Sequence, residues 1–327
     1  MKEKILITGA SGFLGFHLID AALKRGLDVY AGVRKTSEIT HLSQFPVKLV
    51  DLNLSDLNQL TKELTDKKFS YIIHAAGITR AKTAAQYNVV NADFTINLAK
   101  AALHEGTSLK NFVFVSSLAA AGPIDNLKGI ITESSSPNPV TSYGRSKLLA
   151  ETRLQELSLP SVILRPTAIY GPREKDIFMF VKSISRGIEP YIGSGDQQLS
   201  FIYAKDMAEV AMSALESSDI GPFNISDGNS YSRYDMANYL KHLMKRKTLK
   251  FHVPSNAVRI FAKISEEFEQ LFNKTPVLNE EKLKELTAKN WTCSIDKARR
   301  ELNFNPSFDL EKGLAETLQW YNQSNWL

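Results

Sequence analysis

Short apolar runs alternate with amphipathic stretches through the first half of the chain, and the two patterns carry different periods. KILIT (4–8), DVYAGV (28–33), VKLVD (47–51), YIIHA (71–75), NFVFVS (111–116) and SVILR (161–165) read as strands, most of them apolar on both faces. Residues 13–25, 56–66, 84–105 and 142–157 repeat their apolar positions at helical spacing. Strands alternating with helices predict an α/β fold, a doubly wound parallel sheet covered on both sides. After Pro166 the rhythm loosens, with turns at Tyr170-Gly171-Pro172, Gly193-Ser194-Gly195 and Gly228-Asn229. Segments 205–216 and 222–226 read as a helix and a strand returning to the sheet. Helical patterns near 231–245, 255–273, 279–287 and 309–322 predict a smaller, interleaved C-terminal cap. The expected division is a sheet unit over 1–170, rejoined by 201–226, and a cap built from 171–200 and 227–327.

Composition changes this picture little. The chain has 327 residues, a formal net charge of +5 and a pI near 9.0, but its cations are scattered among 35 acids, so no nucleic-acid partner is expected. The compact basic run Lys245-Arg246-Lys247 reads as a solvated helix end. One cysteine, Cys293, excludes an internal disulfide and suits a reducing compartment. The apolar N-terminus is broken by glycines, His17 and Asp20, and no uncharged apolar run reaches the roughly 18 residues of a membrane span. A cytoplasmic protein with no membrane partner is expected. No spacing of His, Cys and carboxylates suggests a metal site.

Two patterns carry chemistry. In TGASGFLG, between the first strand and the first helix, Gly9, Gly12 and Gly15 frame Ser11, Phe13 and Leu14. A tight turn there lets backbone approach a pyrophosphate at the helix N-terminus, the Rossmann arrangement; the plainer reading is a structural turn. The end of the second strand falls at Val33, where an acid would select NAD, and Arg34-Lys35 follow. Those cations suit a 2′-phosphate, so NADP is expected, with NAD as the alternative. Asp28 is expected in the turn before that strand, too early to take the role. The second pattern is SYGRSK: Tyr143 and Lys147, four residues apart, project from one helix face. A cation beside a phenol favours phenolate, so Tyr143 is a candidate acid or base. His74 reads as a satisfied core histidine.

Together TGASGFLG, DLNLSD, HAAGITRA, NVVNADFTINLAKAA, FVFVSSLAAAG and SYGRSK resemble, in order, the landmarks of the extended short-chain dehydrogenase/reductase family. The resemblance implies that Asp51 and Leu52 flank the adenine, that Ala75, Ala76 and Gly77 line the cofactor, and that Pro166 and Thr167 lie near the nicotinamide. Tyr143 and Lys147 would also touch it, Lys147 at the ribose. It implies catalysis by Ser117, Tyr143 and Lys147, with Asn91 shaping the site. A helix-interior Asn bonding backbone is an equally good reading of Asn91. Family members frequently pair as homodimers through the helices matching 84–105 and 142–157.

Two departures argue against nucleotide sugars as substrates. RPTAIYGP places Ala168, and GSGDQQLSF places Leu199 and Ser200, where sugar-nucleotide enzymes commonly carry Asn and Arg. The residues after Ser117, Leu118-Ala119-Ala120-Ala121, supply no acid and read as an apolar wall. The expectation is an NADP-dependent oxidoreductase of a small-to-medium apolar ketone, aldehyde or alcohol. A nucleotide-sugar epimerase or dehydratase, or a catalytically silent NADP-binding regulator, remain the alternatives.

Overall fold

The computed structural model describes residues 2–217, 221–260 and 279–327. Six strands come first: β1 (Lys4–Thr8), β2 (Asp28–Val33), β3 (Lys48–Asp51), β4 (Tyr71–His74), β5 (Asn111–Val115) and β6 (Ser161–Pro166). Short strands β7 (Ala168–Tyr170), β8 (Ile188–Ile192), β9 (Gln198–Leu199) and β10 (Phe201–Tyr203) precede β11 (Gly221–Ile225), which is followed by β12 (Tyr231–Ser232) and β13 (Leu249–Val253). One parallel seven-stranded sheet runs β11-β6-β5-β4-β1-β2-β3. The order reverses between β1 and β4, so a crevice opens at their carboxyl ends, where doubly wound sheets bind ligands.

The period of two in the strands makes both layers. Ile5, Ile7, Val29, Ala31, Ile73 and Val113 face α1 (Phe13–Lys24) and α7 (Ala204–Ala214). Their neighbours Leu6, Tyr30, Ile72, Phe112 and Phe114 face α2 (Leu57–Lys67), α4 (Phe94–Ala102) and α5 (Ser142–Gln155). A third cluster, rich in aromatics, gathers Tyr170, Tyr191, Phe201, Tyr203, Tyr231 and Tyr321 beyond the sheet. There Gly313 lies so close to the Tyr170 hydroxyl that a Cβ would come within 2.1 Å of it.

Three expectations are corrected. The helix over 84–105 is interrupted: α3 (Ala84–Asn88) passes through a π-turn, Val89–Asp93, before α4 resumes. The wider turn carries Asn91, a placement that simple 3.6-residue periodicity does not encode. Asp28 is the first residue of β2, not a turn residue, and its carboxylate holds Lys48 at 2.7 Å at the far end of the sheet from the crevice. The apolar wall after Ser117 instead turns inward: Leu118 and Ala121 pack with Ile131 and Cys293. Of the expected helix 255–273, residues 255–260 are helical and 261–273 lie outside the described residues. No helix among the described residues is long and apolar enough to cross a membrane, and no three His, Cys, Asp or Glu side chains gather to hold a metal.

Candidate active site

The glycines of the first turn are there because nothing larger fits. Gly9 has φ +69°, and a Cβ on it would lie 2.7 Å from the Ala75 carbonyl oxygen; one on Gly15 would lie 2.3 Å from the Gly9 oxygen. Gly12 is the N-cap of α1, extended and exposed, and no side chain caps the helix. The first-turn amides, from Phe13 and Leu14 onward, are therefore free of a side-chain cap where an anion would be held, with Ser11 half-buried beside them. This bare cradle at the sheet's switch point fits the pyrophosphate of a dinucleotide.

The rest of the crevice edge is built from residues far apart in sequence. Val33 ends β2 in register with Asp51, and Leu52 packs beneath Gly32, where a Cβ would meet it at 2.7 Å. Arg34 follows, exposed, its backbone bonded to Ser37, and Lys35 lies 3.7 Å from Asp51. Ala75, Ala76 and Gly77 lead away from β4. A Cβ on Gly77 would lie 3.0 Å from Asn91 Oδ1 and 3.4 Å from Lys147 Nζ, so this glycine sits over both side chains. Pro166 closes β6, and Thr167 is pinned to the Ile225 carbonyl by its amide at 2.9 Å and its hydroxyl at 3.3 Å.

Gly144 brings the phenol to the serine. Its Cα packs on the Ala119 backbone so tightly that a Cβ would approach the Ala119 oxygen to 2.3 Å, drawing the start of α5 against the turn after β5. Thr141 caps that helix through the Gly144 amide at 3.0 Å. The Ser117 hydroxyl accepts from the Ala119 amide at 3.1 Å and sits beside the Tyr143 phenol, whose proton affinity it lowers. Lys147 is buried one turn on, and its ammonium donates to the Val115 carbonyl at 2.9 Å above the Phe114 ring.

The electrostatics correct a sequence expectation. Burial pushes the Tyr143 phenol up to about 12, with Glu285 and Tyr87 adding to the rise and the Ser117 contact opposing it. Burial also brings the Lys147 ammonium down to about 8, against the nearby negative charge of Glu151. A lysine turned toward a β5 carbonyl does not lower the phenol here, and desolvation dominates both groups. The phenol is thus a held proton rather than a ready phenolate.

Two buried networks hold these groups. The Ala76 amide donates to Thr8 Oγ1 (3.2 Å), which bonds His74 Nδ1 (2.7 Å); His74 Nε2 bonds Thr95 Oγ1 (2.9 Å), which donates to the Asn91 carbonyl (2.8 Å). With Thr95 donating onward, consistent directions require the proton on Nε2. Burial depresses His74 to about 3, so it stays neutral, a satisfied core histidine tying the crevice strands to the π-turn. Asn91 itself accepts from the Ile78 amide (2.8 Å) and donates to the Ile78 carbonyl and to Ser146 Oγ (each 3.0 Å). The second network centres on Glu151, buried one turn beyond Lys147. It accepts from Ser116 Oγ and from Arg165, whose Nε lies at 3.0 Å and Nη2 at 2.5 Å.

Comparison with known proteins agrees with this geometry. The model of the NAD dependent epimerase/dehydratase family matches residues 5–226. The chain belongs to this family. Among curated relatives it is 26% identical to the ceramide reductase of Caulobacter vibrioides (99% of this chain, 96% of the relative). It is 28% identical to the UDP-glucose 4-epimerase of Vibrio cholerae (99% and 97%). The crystal structure of a UDP-glucose 4-epimerase from Thermotoga maritima superposes with a TM-score of 0.81 at 21% identity, covering 98% of this chain and 99% of that one. The family's fold and its use of a nicotinamide dinucleotide therefore apply to this chain.

For this member of the epimerase/dehydratase family, the helix expected near 279–287 is present as Glu280–Thr287, but its position across the start of α5 was not foreseen. Glu281 accepts from the Ser142 amide (2.7 Å), the Ser142 hydroxyl (2.9 Å) and Arg145 (2.5 Å). At its other end the Gln197 amide donates to the Leu286 and Ala288 carbonyls, each at 2.8 Å. Tyr87 meets the Tyr143 ring edge-on at 6.3 Å. Neither Glu151 nor Glu281 was named from the sequence: helical spacing from 143 and 147 could have found Glu151, whereas Glu281 lies 139 residues from its partner and left no local signal.

Proposed function

We propose that this protein is an NADP-dependent carbonyl reductase, or reversible alcohol dehydrogenase, acting on a small-to-medium apolar ketone or aldehyde. The observation that carries this reading is the charge pairing around the phenol. Arg145 is engaged by Glu281 at 2.5 Å, Lys282 by Glu285 at 2.7 Å and Arg80 by Asp176 at 2.5 Å, so these cations are spent within the protein. A substrate diphosphate would need such groups, and Leu199 stands where a further arginine would be expected. Similarity to a ceramide reductase supports an apolar substrate; similarity to UDP-glucose 4-epimerases supports the runner-up, epimerisation of a nucleotide sugar.

In this mechanism Ser117 hydrogen-bonds the substrate carbonyl oxygen and Tyr143 gives that oxygen its proton as negative charge develops. Lys147 would hold the nicotinamide ribose, and Asn91 keeps the loop after β4 in place through both Ile78 backbone groups. A bound nicotinamide supplies or accepts hydride. The unit 1–170 with 201–226 would bind the cofactor and the cap of 171–200 and 227–327 the substrate, in a cytoplasmic homodimer paired through α3, α4 and α5.

Absorbance at 340 nm across a panel of ketones and aldehydes tests the reading. Turnover supports the reductase, interconversion of UDP-sugars without net cofactor consumption would replace it by the epimerase, and tight NADPH binding with neither would make the protein a regulator. For the cofactor, Arg34→Ala should raise KM for NADPH by about 10-fold, the loss of one charge-assisted contact, and leave KM for NADH unchanged. A clear NADH preference in the unaltered protein defeats the NADP assignment.

A further inference from the structure

Outside the crevice, the two-stranded parallel sheet of β8 and β13 has two unlike faces. Leu249 pairs with Ile188, Phe251 with Pro190 and Val253 with Ile192, so these six apolar side chains share one face. On the opposite face the β8 residues Glu189 and Tyr191 are buried, while Lys250 and His252 of β13 stay exposed. Glu189 there is buried and engaged by Tyr191, Thr248 and Lys241, while His252 stacks on Tyr191 and bonds the Tyr234 hydroxyl at 3.0 Å. On the apolar face Leu249 is 74% exposed, Ile188 45% and Phe251 40%. Exposed apolar strand faces of this kind mark interaction sites.

What covers the face is indicated by charge. Both strands begin at the same end, where the Leu249 amide donates to the Gly187 carbonyl at 2.8 Å and sets residues 186–187 beside 247–248. Arg186, Lys245, Arg246 and Lys247 are gathered there, all exposed, and none forms an ion pair among the described residues. From Lys182 to Ile192 and from Lys241 to Val253 the single acid is the inward-facing Glu189. Lys245, held in a left-handed conformation (φ +51°), ends α8 (Asp235–Met244) and turns the basic run into β13. An apolar face bordered by cations that form no ion pair among the described residues matches a bilayer whose anionic headgroups meet the cations while the apolar side chains enter the interface.

We infer that the outer face of β8 and β13, with the basic cluster at its edge, docks the protein on the surface of an anionic lipid bilayer. That no helix among the described residues is long and apolar enough to span a membrane leaves such a surface mode open, and the inference departs from the sequence-based expectation of no membrane partner. The inference is independent of the reductase reading, because it invokes no residue of the crevice.

Co-sedimentation of the full chain with phosphatidylcholine vesicles, alone or mixed with phosphatidylglycerol, tests it. Binding is expected only to the mixed vesicles and should weaken as salt is raised. Reversing Lys245, Arg246 and Lys247 together to Glu should lower partitioning by about 100-fold or more. The pair Leu249→Ser and Phe251→Ser should also abolish stable binding at low salt, while melting temperature and NADPH affinity stay at their original values. Equal binding to both vesicle types, or unchanged binding by either variant, overturns the proposal. So does a dimer that the Leu249→Ser and Phe251→Ser pair splits in light scattering without altering vesicle binding, since the face would then belong to a second copy. Tighter capture by duplex DNA than by mixed vesicles would assign the cations to nucleic acid and equally overturn it.

Discussion

Replacing Tyr143 by Phe is expected to lower kcat for carbonyl reduction by about 100-fold or more, with NADPH affinity unchanged. The substitution removes one hydroxyl and keeps the ring edge that meets Tyr87. Because burial holds the phenol at about 12, it carries its proton throughout the working pH range, as a general acid must. The 340 nm rate and a fluorescence titration of cofactor binding separate the two effects, and a Phe variant with undiminished turnover would remove Tyr143 from the mechanism. The limiting pH belongs instead to Lys147. Below about pH 8 its ammonium is charged, and above it the charge proposed to hold the ribose is lost, so kcat/KM should decline on the alkaline side of about 8. Its effect on stability has the opposite sign. The unfolded chain keeps this lysine's proton up to its ordinary value of 10.5, so between about 8 and 10.5 the unfolded state binds more protons and this group's contribution to stability rises with pH.

Glu151→Gln is expected to be the most damaging substitution for stability. The carboxylate and Arg165 are both almost fully buried, and Arg165 Nη1 already lacks a partner among the described residues. Removing the charge leaves a buried guanidinium unneutralised, which costs about 3–5 kcal/mol when one partner of such a pair is lost. The same change removes the negative charge that favours the Lys147 ammonium, so the alkaline limb of kcat/KM should move to lower pH. Glu151→Leu with Arg165→Met separates the roles: this apolar pair should recover much of the melting temperature while the shifted limb persists. A Glu151→Gln protein that melts normally would show that the pair does not carry the fold. A normal melting temperature in the double variant together with an unmoved limb would show that Glu151 does not act on Lys147.

Much of the architecture could be read from local pattern. The first six strands and β11 end within one residue of their expected limits, because a buried parallel strand is apolar on both faces and bounded by turns. Tyr143, Lys147 and Glu151 are legible as one face of α5 because helical spacing alone aligns them. The glycine turn is legible because its backbone conformation and close approaches admit little else. The π-turn that carries Asn91 was not, since one extra residue per turn leaves no mark in helical periodicity and its partners Ile78 and Ser146 lie 13 and 55 residues away.

Local order along the chain was enough for the α/β alternation, the cofactor turn and the tyrosine–lysine face, because each depends on residues within a few positions of one another. Long-range packing decided the rest. It turned Lys147 toward Val115 and raised the phenol through burial, and it laid the helix Glu280–Thr287 over α5 through Glu281. It also set Leu249 beside Ile188 to make an apolar face from two strands more than fifty residues apart. Desolvation and non-local pairing depend on what surrounds a residue in space, and neighbours along the chain do not specify those surroundings.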